Sequence, residues 1–95
     1  MNVYYVYIMA SKPFGAIYTG VTNNLTRRVF EHKNGFISSH TKKDHEKRLV
    51  YFEQFTDIEY ALNREKQIKN WNRQWRVNLI TKNNPRWDDL YQSIL

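Results

Sequence analysis

The chain has 95 residues, 41% hydrophobic and 16% aromatic, enough to build one compact domain over residues 1–95 and too few for a second. It contains no cysteine, which excludes a disulfide framework and a thiolate zinc site and fits a reducing, cytoplasmic setting. Lys and Arg number 15 against 9 Asp and Glu, a net charge of +6 that makes a polyanion the natural partner, while no apolar run is long enough to span a bilayer.

Val3 to Ala10 is a β-branched and aromatic run. The turn-prone Ser11-Lys12-Pro13-Phe14-Gly15 separates it from a second run, Ala16 to Thr22, and the pair reads as a hairpin. Asn23-Asn24 offers a cap for a helix over Leu25 to Asn34, with Gly35 as its left-handed stop. Phe36 to Lys47 is polar and aperiodic, a loop, and Arg48 to Phe55 resumes strand character. Thr56 or Asp57 caps a helix running through Trp71, a further helix covers Trp75 to Thr81, and Asn84-Pro85 breaks the chain before a tail helix at Trp87 to Ile94. The order β-β-α-β-α-α-α predicts an α/β (α+β) fold, a small three-stranded mixed or antiparallel sheet covered by helices. No repeat, linker or low-complexity tract is visible.

Several polar side chains fall where apolar ones are expected. At 100° per residue, Arg28 and His32 share the side of the first helix marked by Leu25 and Val29. On the next long helix Ile58, Ala61, Leu62 and Ile68 form an apolar stripe with Glu65 near its middle. A lone buried charge costs several kcal/mol, a large share of the ~5–15 kcal/mol that holds a domain together, so Glu65 requires a metal or a cation such as Arg28 opposite it. Strand alternation puts Tyr7 on one face of the first strand, and Tyr18 and Gly20 on one face of the second. If those faces coincide the two phenols stand together and Gly20 leaves an opening for a ligand backbone. Singly, each tyrosine is ordinary strand packing. As a set, phenols, guanidinium, imidazole and carboxylate suit phosphodiester hydrolysis, which needs charge neutralisation, a clamp and a base.

The spacing Tyr5-Val6-Tyr7, ten residues, Tyr18-Thr19-Gly20, followed by Arg28, His32 and Glu65 within Ala61-Leu62-Asn63-Arg64-Glu65-Lys66-Gln67-Ile68, resembles the GIY-YIG endonuclease superfamily. The likeness extends through Asn84-Pro85-Arg86-Trp87 and is closest to the small bacterial branch similar to the nuclease domain of the excision-repair incision subunit. Tyr5 stands at the first glycine position and Thr19 at the isoleucine of the second triplet.

The resemblance implies a metal-dependent endonuclease acting on nucleic acid, DNA in particular, in repair or recombination. It implies that Glu65 holds one Mg²⁺ or Mn²⁺ and that Tyr7 is the general base or its relay, its pKa lowered by Arg28 and the metal. Tyr18 would position water or phosphate, Arg28 grip the scissile phosphate, and His32 pass a proton. His40, Lys42, Lys43, Lys69, Arg73 and, by family analogy, Asn84 are candidate nucleic-acid contacts, with specificity supplied by a protein partner, by shape or by the His40 to His45 loop. Trp71 and Trp75 are read as core residues ahead of base-stacking ones. The rival readings are a non-catalytic nucleic-acid-binding module on the same fold and a protein-interaction domain. Zinc is excluded, because the spacing of His32, His40 and His45 matches no ligand pattern.

Overall fold

The computed structural model describes residues 2–36 and 47–95. Its elements follow the expected order: β1 (Tyr4–Ala10), β2 (Ile17–Thr22), α1 (Leu25–Lys33), β3 (Arg48–Phe55), α2 (Ile58–Asn70), α3 (Arg73–Asn83) and α4 (Tyr91–Ile94). The sheet has strand order β2-β1-β3, with both pairings antiparallel. Among the described residues, no helix is long and apolar enough to cross a membrane.

Alternation along β1 sends its side chains into two cores. Val6, Ile8 and Ala10 pack with Val50, Ala61, Ile68, Ile80 and Trp87, under α2 and α3. Tyr7 and Met9 pack with Leu25, Val29 and Leu49, under α1 and the tail. The sheet is therefore the middle of three layers, apolar on both faces. An irregularity between Ile8 and Met9 lets Val50 enter the first core while Leu49 enters the second.

Each long helix starts where a side-chain oxygen takes up an unpaired amide. Asn24 accepts from Arg27, Asp57 from Glu59 and Asn72 from Trp75. The third cap sets α3 two residues earlier than Trp75. At the far end of α1, Gly35 has φ +72°, its N–H donates to His32 O and that of Phe36 donates to Glu31 O. That pairing closes the helix as the glycine predicts.

The tail differs from expectation: instead of a helix from Trp87, one turn forms at Tyr91–Ile94. Trp87 has φ +55°, which a continuing helix excludes, and Asp89 is drawn out to accept from Leu49 N–H and to pair with Lys33. Trp87 is fully buried, donates its indole N–H to Thr81 Oγ1 and stacks on Phe14 of the hairpin tip at 4.8 Å. Phe14 also has positive φ, and Arg73 steadies this turn by donating to the carbonyls of Phe14 and Gly15. Tip, tail and α3 thus compensate each other's strain. Trp87→Ala should cost about 3–5 kcal/mol of unfolding free energy, measured by chemical denaturation; a loss below ~1 kcal/mol would show that the tail is not part of this core.

Candidate active site

Register brings the two phenols together. Tyr7 lies opposite Gly20 and Met9 opposite Tyr18, so Tyr7 and Tyr18 are diagonal neighbours on the α1 face, their rings 6.1 Å apart. A Cβ at position 20 would lie 2.7–2.9 Å from the Tyr7 ring and hydroxyl. Only glycine admits that contact, and the opening expected for a ligand backbone is filled by the Tyr7 ring.

His32 descends from the last turn of α1 behind the buried Leu25 and Val29. Its Nε2 lies 3.0 Å from the Tyr7 hydroxyl, and its ring stands edge-on to Tyr7 and Tyr18 at 5.6 and 4.8 Å. Burial, and then the positive charge of Arg28, push the imidazole pKa down to about 4. Burial, and then the Tyr18 phenol, drive the Tyr7 hydroxyl well above the ordinary tyrosine range, outweighing the downward pull of Arg28. Arg28 acts on Tyr7 in the expected direction, and desolvation outweighs it. Both groups are neutral at ordinary pH, and the imidazole tautomer with its proton on Nδ1 is the one that accepts the Tyr7 O–H at Nε2.

Arg28 sits one turn before His32, and its charge acts on both Tyr7 and His32. Its Nε is 3.4 Å from Glu31 Oε1 yet buried and without a hydrogen bond among the described residues. Glu65 comes from the opposite layer, on α2, which packs against β1 and the edge strand β2; its charge also acts on the Tyr7 phenol. The carboxylate is 18% exposed and pairs with Lys69 Nζ at 3.1 Å rather than with Arg28. Its stripe is narrower than expected: Ala61 and Ile68 are buried, whereas Ile58 and Leu62 are exposed. Tyr7, Tyr18, Arg28, His32 and Glu65 thus gather from four elements.

The other expected contacts separate. Lys69 is beside the cluster, through Glu65. Arg73 is turned to the hairpin carbonyls and so serves the fold. Asn84 corrects expectation too: it is buried, donates to the carbonyls of Val50 and Asp88, and accepts from Asp88 N–H, which leaves its amide no free face for nucleic acid. His40, Lys42 and Lys43 lie outside the described residues. Trp71 packs against the core as expected, but Trp75 is exposed. Sequence reasoning missed Arg76, whose Nε is buried; its spacing on the helix carries no signal of this. Among the described residues no three His, Asp or Glu side chains cluster as metal ligands.

A β-hairpin bearing two phenols, a helix with arginine and histidine, and a glutamate from a second helix define the class. The chain belongs to the GIY-YIG catalytic domain family, whose pattern matches residues 3–78 and so includes all five site residues. The family is one of nucleases. Over 82 residues the chain is 37% identical to a UPF0213 protein of Staphylococcus saprophyticus, covering 86% of this chain and 99% of that one. It is 40% identical over 77 residues to a UPF0213 protein of Clostridium perfringens, covering 81% and 82%. The solution NMR structure of a UPF0213 protein from Bacillus halodurans matches with a TM-score of 0.58 at 28% identity, over 92% of each chain.

The His32 shift carries a sign. The folded pKa of about 4 lies below the unfolded value of 6.5, so between these limits the unfolded chain binds the extra proton and stability falls as pH falls. Unfolding free energy should drop by on the order of 2 kcal/mol from pH 7 to 4 through this residue, and His32→Gln should flatten that part of the curve. A ¹⁵N titration placing the His32 midpoint near 6.5 would contradict the assignment.

Proposed function

We propose that the cluster hydrolyses phosphodiester bonds in DNA as a metal-dependent endonuclease, and the observation that carries this reading is the Tyr7–His32 hydrogen bond beside Arg28 and Glu65. A protonated phenol against a neutral imidazole is a proton relay set to run in one direction. As water attacks phosphorus, its proton passes to Tyr7 oxygen while the Tyr7 proton moves to His32 Nε2. The bond from phosphorus to the leaving oxygen breaks, and the departing strand takes its proton from solvent. Tyr18, at the mouth of the cluster, positions water or phosphate. Arg28, whose buried Nε makes no hydrogen bond among the described residues, grips the scissile phosphate as charge develops on it.

Glu65 would hold the metal ion, with Tyr7 and Tyr18 oxygens nearby. One carboxylate among phenol oxygens is a hard donor set, and it suits an ion such as Mg²⁺ or Mn²⁺ that keeps most of its shell as water and substrate oxygen. When bound, such an ion neutralises phosphate charge and favours deprotonation of water. Neutral His32 supports activity down to a lower pH than an ordinary histidine would allow. The reading extends to a cytoplasmic protein acting in repair or recombination, with specificity supplied by a partner protein.

Purified protein should nick supercoiled plasmid with Mg²⁺ and stop in EDTA. Glu65→Gln and Arg28→Ala should each lower the rate by about 10²-fold or more while thermal unfolding is retained. The acid limb of the rate profile should lie below pH 5, not near 6.5. Full activity in both variants would end the assignment, and DNA binding in a gel shift without nicking would favour a binding module on the same fold.

A further inference from the structure

Ile17, Tyr18, Thr19, Lys69 and Arg76 line a cavity of about 270 Å³ on the outer side of β2. Among the described residues β2 pairs only with β1, and this side of the strand has no ladder partner there. Thr19 is 5% exposed, and among the described residues its Oγ1 has no hydrogen-bond partner. Burying an unpaired hydroxyl costs about 1–3 kcal/mol, which a valine of the same shape would avoid. Arg76 brings a second deficit from α3, a buried Nε equally without a partner. Lys69 adds an ammonium from α2, and among the described residues no acidic side chain lines the space.

The cavity therefore gathers two buried donors without a hydrogen-bond partner among the described residues, beside an ammonium that meets Glu65. Its volume, several times the ~30 Å³ share of one water molecule, admits a group with several oxygens. Its position says which one. Tyr18 forms one wall and stands edge-on to His32 at 4.8 Å, while Lys69 reaches Glu65 at 3.1 Å. The cavity thus adjoins the cluster on two sides.

We propose that this cavity is a second phosphate subsite, holding the nucleic-acid backbone phosphate adjacent to the scissile one with Thr19, Lys69 and Arg76 as donors. The proposal rests on reading the neighbouring cluster as a phosphodiester-cleaving site. Thr19 Oγ1 and the Arg76 guanidinium donate to the phosphate oxygens, and Lys69 faces both this phosphate and Glu65. The second phosphate sets the direction and distance at which the strand crosses Tyr18.

The full-length chain, Thr19→Val and Arg76→Gln are compared in EDTA for binding of a short single-stranded oligodeoxynucleotide over a series of salt concentrations. Thr19→Val should unfold at the wild-type temperature or higher and bind about tenfold more weakly. Arg76→Gln should lower the slope of log affinity against log salt by roughly 0.7, the share of one phosphate contact on a single strand. Inorganic phosphate should shift the Arg76 Nε–Hε resonance in wild type and not in Thr19→Val. Wild-type affinity and slope in both variants would overturn the subsite, as would a lower unfolding temperature for Thr19→Val, which would make the hydroxyl structural. A phosphate-induced shift with oligonucleotide binding unchanged would assign the cavity to free phosphate and reject the backbone. Binding is read without metal, so failure of the nuclease reading appears separately, as absence of Mg²⁺-dependent nicking by wild type.

Discussion

The contact between the Tyr7 ring and the bare Cα of Gly20 is the constraint on which the site depends. It holds only in the observed register, since a slip of one residue would turn Tyr7 toward α2 and α3 and place a side chain under its ring. From that position the phenol reaches His32, which in turn requires α1 to lie with Leu25 and Val29 inward. Glu65 then approaches from the far layer beside the edge strand. Three layers share one small polar volume because the outermost strand is β2 rather than β1.

Two polar clusters on opposite sides of the sheet show how differently burial is handled. On the α2 face, Glu53 accepts from Arg64 and Tyr51, and Arg64 also reaches Gln67 and lies over the Trp71 ring. Burial raises the Glu53 pKa, yet the hydrogen bonds from Arg64 and Tyr51 hold it below the usual carboxylate range; burial and the same carboxylate push Tyr51 up to about 12. Every member of that group has a partner. Among the described residues, the buried side-chain polar atoms left without one are on Thr19, Arg28 and Arg76. Arg28 stands in the cluster, and the other two line the cavity that shares Tyr18 with it. Unpaired donors gathered at one place mark where a foreign acceptor belongs.

The elements bounded by local chemistry were readable in advance: the hairpin from two β-rich runs, α1 from Asn24 and Gly35, and β3 from its aromatic run. Arg28, His32 and Glu65 were conspicuous as polar groups on apolar faces. What the sequence could not show was set by distant partners. Nothing near Asn84 tells of the Val50 carbonyl, and nothing near Arg73 tells of Phe14. The left-handed backbone of Trp87 exists because stacking on Phe14 and burial under α3 outweigh helix propensity in the tail. Gly20 was read as an opening for a ligand backbone and instead admits the Tyr7 ring, because one strand's pattern does not reveal which neighbour approaches.

Lys33 has a wider reach than its place at the end of α1 suggests. Its ammonium pairs with Asp89 of the tail, donates to the Lys47 carbonyl just before β3 at 2.9 Å, and lies over the Tyr91 ring. The two places where the chain leaves α1 and enters β3 are thereby buckled together by groups outside the connection between them. Loop closure grows only slowly with length, about 0.6 kcal/mol for each doubling, and here the ends are already fastened. A change of length between these two fastened ends is therefore one the frame can absorb.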